Sequence, residues 1–198
     1  MFSHIDPKFY DAQLQDKKQE MQTLFSQFNG PSFDVYQSTT LNYRQRAEFR
    51  VWHEGDDLYY IMFDSVTKQK YRVDQFPVAS TLINTFMNAL LDAIKDNTLL
   101  RERLFQVDFL STLSGEALIS LLYHKPLTDE WQTEAAALKA HLEKIAPLDI
   151  IGRAKKQKVI LNKDHVNETL TVGKQAFHYQ QVENSFTQPN AHVNEHML

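Results

Sequence analysis

Apolar positions recur along this chain with two periods, about 3.6 residues in some stretches and two in others, and the switches between them predict its elements. Asp6-Pro7 places an N-cap before a proline at the first helical position, and Met21, Leu24, Phe25 and Phe28 fall at i, i+3, i+4 and i+7. That spacing predicts a helix over about 7–28, stopped by Asn29-Gly30-Pro31. The period then shortens. A short extended piece over 33–36 leads to a strand over 43–53, the turn Glu54-Gly55-Asp56-Asp57 and a strand over 58–63, with 70–73 as a third strand of the same sheet.

Leu82, Ile83, Phe86, Met87, Leu90, Leu91 and Ile94 restore the helical period and predict a strongly amphipathic helix over about 78–95. Two runs of sheet formers, 105–113 and 117–123, flank Ser114-Gly115-Glu116 as a second hairpin. Thr128-Asp129-Glu130 opens a further helix whose Trp131, Ala135, Leu138, Leu142 and Ile145 share a face. Strands over 148–153 and 157–161 surround Ala154-Lys155-Lys156, and an extended run over 176–184 precedes a helix opened by Pro189. That helix has made only about two turns at Leu198, so the last twenty residues read as the opening of a further unit. Hairpins dominate, and the expected class is α+β, a mainly antiparallel sheet with amphipathic helices packed on it.

Composition narrows this little. The 198 residues, 42% hydrophobic and 23% charged, suit one domain or slightly more, and 13 Phe, 8 Tyr and 2 Trp can fill its core. The lack of cysteine excludes disulfides, thiolate metal sites and a cysteine nucleophile within these residues. No run of 18 apolar residues occurs, and Met1-Phe2-Ser3-His4-Ile5-Asp6-Pro7 has neither the charged nor the apolar region of a leader, so a cytoplasmic protein without a membrane partner is expected.

Charge placement changes the picture more. The net charge is −4, yet residues 150–163 hold five cations and no acid, and residues 42–53 hold three arginines against Glu48. An acidic body thus carries two basic segments, either a confined phosphate-binding face or two solvated hairpins. In the strand over 43–53, alternation sets Tyr43, Gln45, Ala47, Phe49 and Val51 on one face and Arg44, Arg46, Glu48, Arg50 and Trp52 on the other. Arginine forks match phosphate oxygens and neighbouring aromatics offer exposed bases a stacking surface; ion pairing with Asp56, Asp57 or Asp64 is the alternative use of those arginines.

Phe105, at a helix-to-strand junction, is placed either in the core or projecting toward a ligand, and Tyr123-His124-Lys125 offers an acid or phosphate contact at a strand end. His192-Val193-Asn194-Glu195-His196 matches H-x-x-E-H, a spacing for two zinc ligands and a general base, but no third ligand or pocket wall accompanies it. No Walker loop, G-x-G-x-x-G, G-x-S-x-G or paired-carboxylate motif occurs, so no catalytic residue and no metal site is named.

Tyr43-Arg44-Gln45-Arg46-Ala47-Glu48-Phe49-Arg50-Val51-Trp52-His53, Arg72-Val73-Asp74-Gln75-Phe76-Pro77, Leu104-Phe105-Gln106 and Ser120-Leu121-Leu122-Tyr123-His124-Lys125 are carried on by Ile151-Gly152-Arg153-Ala154 and Gln181-Val182-Glu183-Asn184-Ser185-Phe186-Thr187-Gln188-Pro189-Asn190. Spaced through nearly the whole chain, these segments resemble the N-terminal half of the bacterial tRNA/tmRNA (uracil-5-)-methyltransferase family. The resemblance implies an RNA-binding part over 1–175 and, over 176–198, the truncated start of a Rossmann-like domain that uses S-adenosylmethionine to form 5-methyluridine in the T-loop of tRNA and in tmRNA. A cysteine thiolate adds to C6 of the flipped uracil in that family and a glutamate later removes the C5 proton. Neither that cysteine nor the family's Gly-rich cofactor turn and Asp-Pro-Pro-Arg segment is within these residues, which implies an inactive half that lacks its C-terminal catalytic domain. The resemblance places Gln188 against the cofactor and Arg50 and Phe105 against the tRNA T-arm, with no DNA partner. Arg44, Arg46, Lys155 and Lys156 join the RNA-binding set on charge geometry alone. A stand-alone RNA- or protein-binding scaffold of the same fold is the alternative.

Overall fold

Alternation sets the central sheet. In β1 (Arg46–Glu54), Ala47, Phe49 and Val51 are buried while Glu48, Arg50 and Trp52 face outward. β2 (Asp57–Phe63) pairs with it across the Gly55 turn, where the glycine takes the left-handed φ of +59° that a tight turn requires. With β3 (Lys70–Arg72), β4 (Leu104–Ser111), β5 (Ala117–Tyr123), β6 (Leu148–Ala154) and β7 (Gln157–Ile160), the sheet has the order β3-β2-β1-β4-β5-β6-β7. This computed structural model describes residues 6–64 and 66–198; Met1–Ile5, within the segment read for a leader, and Ser65 lie outside the described residues.

One sheet face is covered by helices. α1 (Tyr10–Phe25) lies apart from the core; α2 (Thr81–Ile94) is capped by the Ser80 hydroxyl and buries Ile83, Phe86, Met87, Leu90 and Ile94. A single turn, α3 (Thr98–Arg101), not predicted from the periodicity, leads into β4. α4 (Asp129–Leu142), capped by Thr128, buries Trp131, Ala135, Leu138 and Leu142. Between helices and sheet, the Phe49 ring meets Tyr60, Phe76 and Phe109 at centroid distances of 5.4, 5.5 and 6.2 Å, tilted or edge-on as aromatic quadrupoles prefer. Trp131 lies where Gly152 of β6 has no side chain.

The opposite face is covered only in part. β8 (His165–Val172) and β9 (Gln175–Val182) form a separate hairpin, and Val166 packs with Leu110, Leu118 and Ile151 of the sheet. The buried Glu168 carboxylate accepts the Leu113 amide at 3.0 Å, tying the hairpin to the β4–β5 turn. The hairpin turns at Gly173-Lys174, so the 175/176 division falls at the start of β9. α5 (Ala191–Met197) ends the chain.

The helix expected over 7–28 forms, with a 3-10 turn at each end, and its apolar stripe stays uncovered: Met21, Leu24, Phe25 and Phe28 are 37, 52, 51 and 66% exposed. Several expectations need correction. Residues 33–36 form no strand. α4 ends at Leu142, leaving Ile145 exposed, and α5 begins at Ala191 under an Asn190 cap rather than at Pro189. β8 had no predicted counterpart, and β5 and β6 run parallel, because α4 carries the chain back to the end where β5 began.

Candidate nucleic-acid interface

The register of β4 against β5 shifts between Leu104 and Gln106, a bulge that turns Phe105 out of the regular alternation. Leu104 stays fully buried, and His53 Nε2 hydrogen-bonds the Leu104 carbonyl at 2.8 Å. Arg103, in the left-handed region at φ 61°, presents its carbonyl to the His124 amide at 2.9 Å, which brings the end of β5 against the start of β4. The Phe105 and His124 rings therefore stack, 3.8 Å apart and within 12° of parallel. The guanidinium carbon of Arg50, which faces Gln106 in register, lies 5.5 Å from the Phe105 centroid. A cation and an imidazole thus both lie against the Phe105 ring, on the sheet face opposite the helices.

This stack borders a cleft of about 850 Å³ that Phe105 and His124 line together with Leu122, Arg153, Lys155 and Lys156. Lys155 takes a left-handed φ of 46° in the β6–β7 turn, and both lysines are exposed without an ion pair among the described residues. An apolar floor, flat rings and two free ammonium groups suit a splayed-out base with its phosphate.

The remaining predicted residues are placed differently. Arg46 donates to the Ser185 carbonyl at 2.8 Å and pairs with Glu48 at 2.9 Å. Arg44 donates from Nε to the Arg46 carbonyl at 2.7 Å and lines a separate cleft of about 490 Å³ that Tyr10, Tyr36, Tyr43 and Asn190 share. Two of the three acids that are the alternative partners of these arginines, Asp57 and Asp64, are engaged elsewhere. Asp57 pairs with Arg72 at 2.8 Å and Asp64 accepts the Val66 and Thr67 amides.

Gln188 is half-buried in a segment fixed at both ends. Before it, Arg153 grips Glu183 with two bonds of 2.6 and 2.5 Å; after it, the Pro189 carbonyl accepts the Gln45 amide at 2.7 Å and Asn190 donates to Ser38 at 2.6 Å. Burial alone would push the Glu183 carboxyl up, but Arg153, Ser120 and Lys158 outweigh it and hold it below the ordinary range. Glu183 was not singled out in the sequence, and its only signal there is its place in the Gln181–Asn190 segment. Next to Gln188, Thr187 Oγ1 is buried with no hydrogen-bond partner, an orphaned group that a polar ligand would satisfy. His192 and Glu195 approach to 3.5 Å while the His196 ring stacks on Tyr36 at 4.3 Å, and no group of three or more metal-binding side chains gathers among the described residues. No helix among them is long and apolar enough to cross a membrane.

In β4, Asp108 is buried enough to push its carboxyl up to about 6, against the opposing hydrogen bond from Gln106 at 2.7 Å. The folded chain therefore holds a proton there more tightly than the unfolded chain. The resulting penalty is absent below about pH 4 and fully present above about pH 6, so stability falls across that window as pH rises. Asp108→Asn is expected to raise stability at pH 7 by roughly 2 kcal/mol and to flatten this part of the profile, as urea unfolding at a series of pH values would read.

A family model described as tRNA (Uracil-5-)-methyltransferase matches residues 9–198. A Colwellia psychrerythraea protein named tRNA/tmRNA (uracil-C(5))-methyltransferase is 71% identical over 198 residues, all of this chain and 54% of that protein. Proteins of the same name from Vibrio cholerae and a Shewanella species are 56 and 58% identical over 195 and 194 residues, in each case 98% of this chain and 53% of theirs. The chain spans about half the length of the curated relatives it matches.

Proposed function

Because the chain belongs to the tRNA (uracil-5-)-methyltransferase family, we propose that it is the RNA-gripping part of an enzyme that forms 5-methyluridine in the T-loop of tRNA and in tmRNA. The observation that carries this reading is the Arg50–Phe105–His124 stack on the border of a lysine-rimmed cleft. A T-loop nucleotide stacks against these rings, and Lys155 and Lys156 take its phosphates. Arg44 and Arg46 add positive charge from the same strand, and Arg46 also holds Ser185 in place. DNA, which keeps its bases paired and stacked, offers this cleft no splayed base. The cytoplasm, where tRNA is modified, is the proposed location.

S-adenosylmethionine, when bound, supplies the methyl group. Gln188 would hold it through a neutral amide, and the unsatisfied hydroxyl of Thr187 fits a polar ligand at that position. In this reading residues 1–175 grip RNA and residues 176–198 open a Rossmann-like cofactor domain, with Glu183 and Arg153 fastening one to the other. The 198 residues contain no cysteine, so the thiolate addition to C6 is assigned to other polypeptide.

The test is a filter-binding titration of the 198-residue chain against a T-arm hairpin at two salt concentrations, with a parallel methyl-transfer assay. Binding that weakens steeply with salt, without methyl transfer, is the expected result, because phosphate contacts release counterions whether or not a cofactor is bound. Salt-independent binding, or methylated uridine formed by this chain alone, would overturn the reading.

A further inference from the structure

The face that carries the Arg50–Phe105–His124 stack does not end at Arg50. Opposed residues of an antiparallel ladder share a face, so the register Trp52↔Tyr59, Arg50↔Ile61, Ile61↔Arg72 and Phe63↔Lys70 extends that face across β2 and β3. Two more cation–ring pairs stand on it. Lys70 Nζ lies 3.6 Å from the Trp52 ring centroid, and the Arg72 guanidinium lies 4.6 Å from that of Tyr59.

The two pairs differ in what they leave free. Arg72 is bound by Asp57 at 2.8 Å and Asp74 at 2.7 Å, Tyr59 is buried, and its hydroxyl donates to Glu54 at 2.6 Å. That pair has neither spare charge nor spare ring. Lys70 has no carboxylate partner among the described residues, its amine is exposed, and the Trp52 indole is 38% exposed. Phe63, opposite Lys70, is exposed as well.

We propose that Trp52 and Lys70 form a second RNA subsite, which takes one unpaired nucleotide beside the nucleotides gripped at Phe105, its base on the indole and its phosphate on the ammonium. The inference rests on the RNA reading above and adds a second contact to it. An unpaired ammonium held over an exposed indole is suited to exchange the ring for a phosphate as a base slides on, because stacking on tryptophan tolerates any base and the lysine need move only at its tip. Arg50, two residues before Trp52 on the same side of β1, makes the two subsites neighbours on one strand.

The chain's tryptophans give a direct readout. Trp131 is 1% exposed in the core, so a change in tryptophan emission on adding RNA reports Trp52. Titration with a T-arm hairpin bearing a short unpaired extension is expected to quench that emission. Trp52→Ala is expected to weaken binding of this RNA about tenfold. Lys70→Ala is expected to lower the slope of log affinity against log salt by about one. Trp52→Phe should keep the affinity and lose the quench, which separates a lost ring from a misfolded sheet. Wild-type affinity in Trp52→Ala, or unchanged emission while the hairpin binds, would overturn the subsite and leave the main grip standing. Failure of the unaltered chain to bind the hairpin at all would overturn both.

Discussion

A chain with Arg50→Ala and Phe105→Ala together is expected to bind T-arm RNA about a hundredfold more weakly than the unaltered chain. A base stacked on an aromatic ring contributes about 1–3 kcal/mol and a guanidinium contact to RNA a further increment of similar size, so losing both brings the affinity near the non-specific level. His124 magnifies the effect, since its imidazole keeps its orientation by stacking on Phe105 at 3.8 Å. The melting temperature should barely move, because Arg50 is exposed and Phe105 only half-buried at a bulge. Filter binding beside a thermal melt checks the pair of outcomes; unchanged affinity with an intact melt would mean that RNA is held elsewhere.

Gly152→Ala is expected to have the largest effect on stability. A Cβ there would lie 2.3 Å from Trp131 Cη2 and 2.6 Å from Leu127 Cδ1, distances that real Cβ atoms do not reach. The indole cannot retreat without cost, as it is wedged edge-on against Tyr123 at 5.6 Å in a fully buried site. Overpacking of this kind costs about 3 kcal/mol or more, and urea unfolding would show it as a lower midpoint with an unchanged slope. Combining it with Trp131→Leu should recover part of the loss, because the smaller side chain leaves room for the new methyl. A midpoint equal to that of the unaltered chain would show that α4 can shift freely against β6.

The sequence made some of this legible and concealed the rest for identifiable reasons. In β1 the alternation was unambiguous, since Ala47, Phe49 and Val51 are apolar and Arg46, Glu48 and Arg50 charged, and the structure divides them that way. β8 escaped because Glu168 sits in its inward-facing set between Val166 and Leu170, and a buried carboxylate bonded to backbone amides reads as a break in the pattern. The periodicity over 7–28 gave away a helix, but it reports only that a helix has an apolar side and is silent on whether anything covers it. Of the candidate site, Arg50 and Phe105 were named individually, and His124 only as part of a strand end. Their stacking depends on a bulge in β4 and a left-handed Arg103, neither of which has a local signature. Charge counting grouped Arg46 with Arg50, yet Arg46 meets Ser185, a partner 139 positions away that no strand pattern can supply.

The parallel pairing of β5 with β6 has a consequence for the order in which the chain assembles. Tyr123 and Ala154, the register partners next to His124 and Lys155, are neighbours only because α4 has carried the polypeptide back across the sheet. Hairpins close quickly, whereas a crossover must first meet the entropy of its long loop. During synthesis the β1–β2 and β4–β5 ribbons can therefore form while the far wall of the groove has yet to arrive. Until β6 and the turn after it are in place, the cleft beside Phe105 lacks the side that Arg153, Lys155 and Lys156 supply.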